Sequence, residues 1–220
     1  MTRAFDVITF DCYGTLIDWE AGIVEAFRTT AASDGVTLEP AAILRTFFDE
    51  KPAAERPYAT YREILTATAV RVGERLGWPA GRERAAFLPE SVAHWPPFPD
   101  TNAALERLSR AGYELGILSN VDDDLLAGTR RQLTAPFALL VTAQQVRSYK
   151  PAPPHFTAAR ERIGGRRWLH AARSYFHDVE PAVALGIPVA WINRRQERPP
   201  GAARPDWEHP TLTELADRLA

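Results

Sequence analysis

The chain has 220 residues, 45% hydrophobic, 10% aromatic and 25% charged, which excludes collagen-like, low-complexity and wholly disordered proteins. Lys and Arg number 26 against 28 Asp and Glu, a formal net charge of −2 with no basic block, so duplex-scale nucleic-acid binding lacks its electrostatic driver. The single cysteine, Cys12, excludes an intrachain disulfide and a multi-cysteine metal cluster.

No apolar run approaches the roughly 18 residues of a membrane span. The first residues run straight into a strand-like segment without signal-peptide character. The expectation is a soluble cytoplasmic protein with no membrane or nucleic-acid partner.

Residues 5–11 (FDVITFD) are short, apolar and β-branched, and stop at Tyr13-Gly14-Thr15. That pattern predicts a buried strand ending in a turn. Helical spacing of apolar residues follows over 20–32, 41–50 and 58–76, with a further helix predicted over 81–95 and no strand in this stretch. In 58–76, for example, Ile64, Leu65, Thr68, Val72 and Leu76 share one side. Prolines 96, 97 and 99 then forbid a helix and mark a boundary. Beyond them helices and strands alternate. Helices are predicted at 101–111, 122–132, 153–163, 181–185 and within 208–220, strands at 113–118, 137–142, within 168–176 and at 188–192. The Arg- and Pro-rich stretch 194–205 reads as a loop.

Alternation of this kind predicts an α/β protein with a parallel sheet covered by helices and right-handed crossovers. The sheet domain comprises residues 1–16 and 97–220, and an all-helical insert, 17–96, follows its first strand. Ligands of an open parallel sheet bind beyond the carboxyl ends of the strands. The polar residues expected there are Asp11 and Thr15, then Ser119 and Asn120, then Lys150, then Ser174, His177 and Asp178.

Each admits more than one reading. A strand-end aspartate such as Asp11 is a nucleophile candidate or a helix cap. Thr15, Ser119 and Asn120 are hydrogen-bond donors to a carboxylate or phosphate, or turn residues. A lysine near a carboxylate keeps it ionised, or is merely solvated. Asp178 balances Lys150, positions water, binds a cation or caps a helix. His177 is a base or donor in a pocket, or a turn residue. Trp19, Phe47, Phe48, Tyr58 and Tyr61 line a cavity or pack the helical insert.

Asp11-Cys12-Tyr13-Gly14-Thr15-Leu16, Ser119-Asn120, Lys150-Pro151 and Asp178 before Val179-Glu180-Pro181 together resemble the motifs of the haloacid dehalogenase superfamily. The resemblance implies a Rossmann-like core with Asp11 as nucleophile, and a helical cap domain inserted after the first strand that keeps water from the first step. Phosphatases of the superfamily carry a second aspartate where this chain has Tyr13, and use it to protonate the leaving oxygen. A halide needs no such proton, and Asp-x-Tyr-Gly-Thr is similar to the L-2-haloacid dehalogenases. The implied reaction converts a short (S)-2-haloacid into an (R)-2-hydroxy acid through an ester on Asp11. Lys150 orients Asp11, and Asp178 pairs with Lys150 and positions water. Thr15, Ser119 and Asn120 hold the nucleophile and the substrate carboxylate. Tyr13 forms part of the halide cradle, and Ser174 and His177 complete the substrate site.

The family's halide-binding arginine has three candidates here, Arg45, Arg56 and Arg62. Ser174 stands where the phosphatases often have a further aspartate, which weakens a hard-cation site, so no cofactor is expected. The alternative is a Mg²⁺-dependent phosphatase of a small phosphomonoester, its metal held by Asp11, the Tyr13 carbonyl and Asp178. A second alternative is a non-catalytic member that keeps the fold. The partner expected is a small-molecule substrate, and an apolar face on the insert would support a homodimer.

Overall fold

The computed structural model describes residues 3–54 and 58–220; Arg56 lies outside the described residues. In chain order the elements are β1 (Val7–Phe10), α1 (Trp19–Ser33), α2 (Pro40–Ala54), α3 (Tyr61–Arg75), α4 (Phe87–Ser91) and α5 (Thr101–Arg110). These are followed by β2 (Glu114–Ser119), α6 (Asp123–Thr129), β3 (Leu139–Thr142), α7 (Ala143–Val146), α8 (Pro154–Ile163) and β4 (Trp168–Ala172). The last are α9 (Glu180–Ala184), β5 (Val189–Ile192), β6 (Trp207–His209) and α10 (Leu212–Leu219). No helix among the described residues is long and apolar enough to cross a membrane.

The chain forms two compact units, one of Met1–Asp18, Pro97–Asn120 and Gln132–Ala220, the other of Trp19–Pro96 and Val121–Arg131. These bounds differ from the expected 1–16, 97–220 and 17–96 chiefly in Val121–Arg131, which belongs with the helices. The reason is local. Both carboxylate oxygens of Asp122 accept backbone N–H groups of the first turn of α3, Tyr61 and Arg62, at 2.9 Å each.

In the first unit the described strands form one sheet in the order β3-β2-β1-β4-β5-β6, and every pairing is parallel. Strands covered on both faces must be apolar throughout, and β1 is buried along its whole length. One side of the sheet packs Val7, Val141, Phe156, Val179 and Trp191 into a common core. On α10, Leu212, Leu215 and Ala216 are buried at helical spacing, and the helix packs against α5. The chain begins in the middle of the sheet, winds to the β3 edge, and returns to β4 on the other side of β1. Such a reversal leaves a crevice at the carboxyl ends of the two central strands, here directly after Phe10 and Ala172.

In the helical unit α1 buries Ile23, Phe27 and Ala31 at four-residue intervals. Gly22 lies against Trp95, where a β-carbon would come within 2.2 Å of the indole. Aromatic rings fill this unit: Trp19 lies against Phe47 and Phe48, and Phe27 against Trp78 and Phe87. α3 starts with a capping box between Thr60 and Glu63, which satisfies two otherwise open donors. The helix predicted over 81–95 is instead a 3₁₀ turn, the short α4 and a second 3₁₀ turn. Pro89 has no N–H to continue the α-helical ladder from the preceding turn. The three-residue β6 falls in a stretch without any strand pattern, and α10 lies within the expected 208–220, starting after Pro210 and its N-cap Thr211.

Candidate active site

β1 delivers Asp11 one residue past its end, with its N–H donated to Ala171 O of β4 at 3.1 Å. The chain then turns sharply. Leu16 and Ile17 N–H both donate to Cys12 O, and Gly14 takes φ 101°, a conformation open to glycine at little cost. This turn brings Thr15 back onto the aspartate, and its Oγ1 donates to Asp11 Oδ2 at 3.0 Å. The same Oγ1 accepts Arg173 N–H at 2.9 Å, so the hydroxyl's direction is fixed from the end of β4. Tyr13 sits half-buried in the turn.

Lys150 is the hub. Its buried ammonium donates to Asp11 Oδ1 at 3.0 Å, to Asp178 Oδ1 at 2.6 Å and to Leu118 O at 2.8 Å. All three N–H bonds of the ammonium are thereby used. Asn120 holds the lysine in place through its backbone: Lys150 N–H donates to Asn120 Oδ1 at 2.7 Å, and Asn120 Nδ2 donates to Lys150 O at 3.0 Å. The Asn120 side chain expected to meet a substrate thus grips the lysine's own peptide groups. Ser119 Oγ is buried with no hydrogen-bond partner among the described residues, and Asp178 Oδ2 is in the same state. Buried polar atoms are rarely left so, and both belong to this network.

Burial pushes the Asp11 carboxyl above the usual aspartate range; Lys150 opposes the shift and the charge of Asp178 adds to it. Burial also acts on Asp178, but Lys150 and the hydrogen bond from His170 outweigh it and hold that carboxyl at about 2. Lys150 is raised: burial would lower it, and the two carboxylates more than compensate. The site therefore holds a fixed ammonium between two carboxylates, Asp178 firmly ionised and Asp11 less so.

Ser174 and His177 are placed beside the network and engage each other. Ser174 Oγ accepts His177 N–H at 3.1 Å and lies 2.9 Å from His177 Nδ1, opening the π-helical turn Tyr175–Val179 that carries Asp178. Among the arginine candidates, Arg45 is exposed on α2, and Arg62 pairs with Asp124 at 2.5 Å. The oxygens offered to Mg²⁺ would be those of Asp11, the Tyr13 carbonyl and Asp178. Mg²⁺ is bound through one or two carboxylates with waters completing its octahedron. Here Asp11 Oδ1 and Asp178 Oδ1 are both bound to the Lys150 ammonium, and Ser174 supplies no further carboxylate. Among the described residues no cluster of three His, Cys, Asp or Glu side chains could hold a metal.

Sequence reasoning missed a layer beneath these groups. His170, in register with Thr9 across the β1–β4 pair, places Nε2 3.0 Å from Asp178 Oδ1 and Nδ1 2.8 Å from Thr9 Oγ1. Trp168 Nε1 donates to the same Thr9 oxygen at 2.7 Å. His155 of α8 sets Nε2 3.1 Å from Ser119 O. Each is a lone polar residue in an apolar stretch. The available signal was alternation: Thr9 and Asp11, like Trp168 and His170, are two apart and so share a face.

Comparison with known proteins places the chain among hydrolases. A family model described as haloacid dehalogenase-like hydrolase matches residues 5–172. An (S)-2-haloacid dehalogenase of Pseudomonas putida is 28% identical, covering 86% of this chain and 84% of its own. A phosphoglycolate phosphatase of Mesorhizobium japonicum is also 28% identical, covering 97% of this chain and 96% of its own. The fold is similar to that of the L-2-haloacid dehalogenase of Xanthobacter autotrophicus, solved with chloropropionic acid covalently bound. The TM-score is 0.83, identity is 20%, and 97% of each chain is covered.

Proposed function

Because the chain belongs to the haloacid dehalogenase-like hydrolase family, we propose that it hydrolyses the carbon–halogen bond of a short (S)-2-haloacid without a metal. The observation that carries this reading is the residue two past the nucleophile. Asp11 is held between Lys150 and Thr15, while the turn that follows it offers Tyr13 where proton donation to a leaving oxygen would need an acid. A phenol of pKa about 10 is a poor acid near neutrality, and a departing halide needs none. The named activity of the Pseudomonas putida relative supports the same substrate class.

Asp11 attacks C2 of the haloacid from the face opposite the halogen. The new C–O bond forms as the carbon–halogen bond breaks, halide leaves with the electron pair, and the configuration inverts. Lys150 and Thr15 hold the carboxylate in line, and orientation of this kind supplies much of the rate. The substrate carboxylate is met by the unsatisfied hydroxyl of Ser119, and Tyr13 lines the halide side. Water then adds to the Asp11 carbonyl carbon, and Lys150 stabilises the oxyanion. When the ester C–O bond breaks, one proton of the water ends on the hydroxyl of the (R)-2-hydroxy acid and the other is released from Asp11. Asp178 orients that water. Held at about 2, it is a weak base, so its part is to accept a hydrogen bond and to balance Lys150.

The test is chloride release from (S)-2-chloropropionate in the presence of EDTA, with a small phosphomonoester and Mg²⁺ in a parallel assay. Chloride release insensitive to chelation is the expected result. Phosphate release abolished by chelation, with no chloride from folded protein across several short haloacids, would overturn it in favour of the phosphatase reading that the Mesorhizobium relative raises.

A further inference from the structure

We infer that His170 is a positioning residue for the second half of this reaction: it fixes Asp178 through Oδ1, leaving Oδ2 as the oxygen that receives the ester-cleaving water. The inference rests on the dehalogenase reading above and adds a step-specific role for a residue outside its machinery. His170 is fully buried in β4, with Phe156 edge-on to its ring at 5.4 Å, so solvent does not compete for its nitrogens.

The partners of the ring decide which nitrogen donates to Asp178. An ionised carboxylate can only accept, so the Nε2 that faces Asp178 Oδ1 at 3.0 Å carries a hydrogen. The other ring nitrogen, Nδ1, is held at 2.8 Å by Thr9 Oγ1, which in turn accepts the indole N–H of Trp168. Lys150 reaches the same oxygen at 2.6 Å. A single contact, to Lys150, leaves the carboxylate free to turn about its Cβ–Cγ bond; a second, from a ring locked in the sheet, fixes its plane. Both donors converge on Oδ1, and Oδ2 is the buried oxygen left without a partner among the described residues. The alkylation half of the reaction does not involve that oxygen, so His170 matters to hydrolysis alone.

The experiment is a rapid-quench single turnover with (S)-2-chloropropionate, following chloride and the mass of the acid-quenched protein. His170→Leu keeps bulk and loses the donor. It should release chloride at the wild-type rate while the propionate ester on Asp11 persists roughly 10- to 100-fold longer, the size of effect that loss of an outer-shell partner has on a metal ligand. His170→Gln, whose amide nitrogen can reach Asp178, should recover most of the hydrolysis rate. Equal slowing of both steps, or a normal ester lifetime in His170→Leu, overturns the assignment. Should that variant not fold, Thr9→Val replaces it: an unchanged ester lifetime there overturns the assignment, and a lengthened one supports it. Absence of chloride from every protein, wild type included, fails the dehalogenase reading itself, and this role falls with it. A chloride burst with an ester on Asp11 in the wild type but no lengthening of its lifetime in His170→Leu fails this role alone, whereas a burst with no ester in any protein fails the nucleophile role of Asp11 as well.

Discussion

Two aspartates share one lysine, and the difference between them follows from their second partners. Asp178 has His170 in addition to Lys150 and is held at about 2, whereas Asp11 has Thr15 in addition to Lys150 and lies above the ordinary range because burial disfavours its charge. A nucleophile that is costly to ionise in the folded state is a reactive one, and it destabilises the fold at neutral pH. A raised folded-state pKa for an acid means that the folded protein binds more protons than the unfolded one, so ionisation at higher pH costs stability. Asp11→Asn should therefore lower chloride release by roughly 10⁴-fold or more, as loss of a nucleophile does. The same variant should raise the thermal unfolding midpoint at pH 7, read by calorimetry. The acid limb of the wild-type rate profile should fall above the pH expected of a free aspartate, since turnover needs the carboxylate. Lys150→Met removes the charge both aspartates depend on. Uncompensated buried charge costs about 3–5 kcal/mol, so that variant should lose this much in urea unfolding as well as all turnover.

At the scale of elements, side chains at the carboxyl end of one segment often complete another. Asp122 precedes α6, yet its carboxylate caps α3 through Tyr61 and Arg62. Asn120 leaves β2 and grips the peptide groups of Lys150. An ionised side chain accepting two helix-start N–H groups is among the stronger caps. Asp122→Ala should accordingly destabilise the protein by about 1–2 kcal/mol in denaturant unfolding, while Asp122→Asn, which keeps one acceptor oxygen, should lose less. Such links mark the limit of what was legible in the sequence. Long helices such as α1 and α3 were readable because burial on one side leaves a 3.6-residue period, and the central strands because burial on both faces leaves apolar runs. β6, three residues wide and only partly buried, leaves neither. Asp11, Thr15, Lys150 and Asp178 could be placed at one end of the sheet because parallel strands all point there. The roles of Asn120 and His170 could not, because the first depends on a loop returning from 30 residues away and the second on the register between β1 and β4.

For the molecule as a whole, burying histidines ties stability to pH. His155 lies wholly inside the sheet unit, where burial, then the charge of Lys150, lowers it to about 4. It is thus neutral near pH 7, with Nε2–H donated to Ser119 O, and so supports the strand end that carries Ser119. The unfolded chain binds this proton near 6.5 and the folded protein only near 4. Between those values the unfolded state takes up more protons, so stability is fully present above about 6.5 and drains away as pH falls towards 4. At about 1.4 kcal/mol per unit, the loss from this group is on the order of 3 kcal/mol. His209, lowered by burial and by Arg218, acts in the same direction. Asp178 adds a later stage, its contribution disappearing as pH falls from about 4 towards 2. Urea midpoints measured from pH 7 to pH 4 should therefore decline in the wild type, less steeply than His155 alone would give, because protonation of Asp11 works in the other direction. His155→Gln, which keeps a donor to Ser119 but cannot titrate, should start lower and lose much less across that window. A decline of equal steepness in the variant would place the responsible protons on another group, and would mean that the strand end beside the lysine tolerates a charged imidazole.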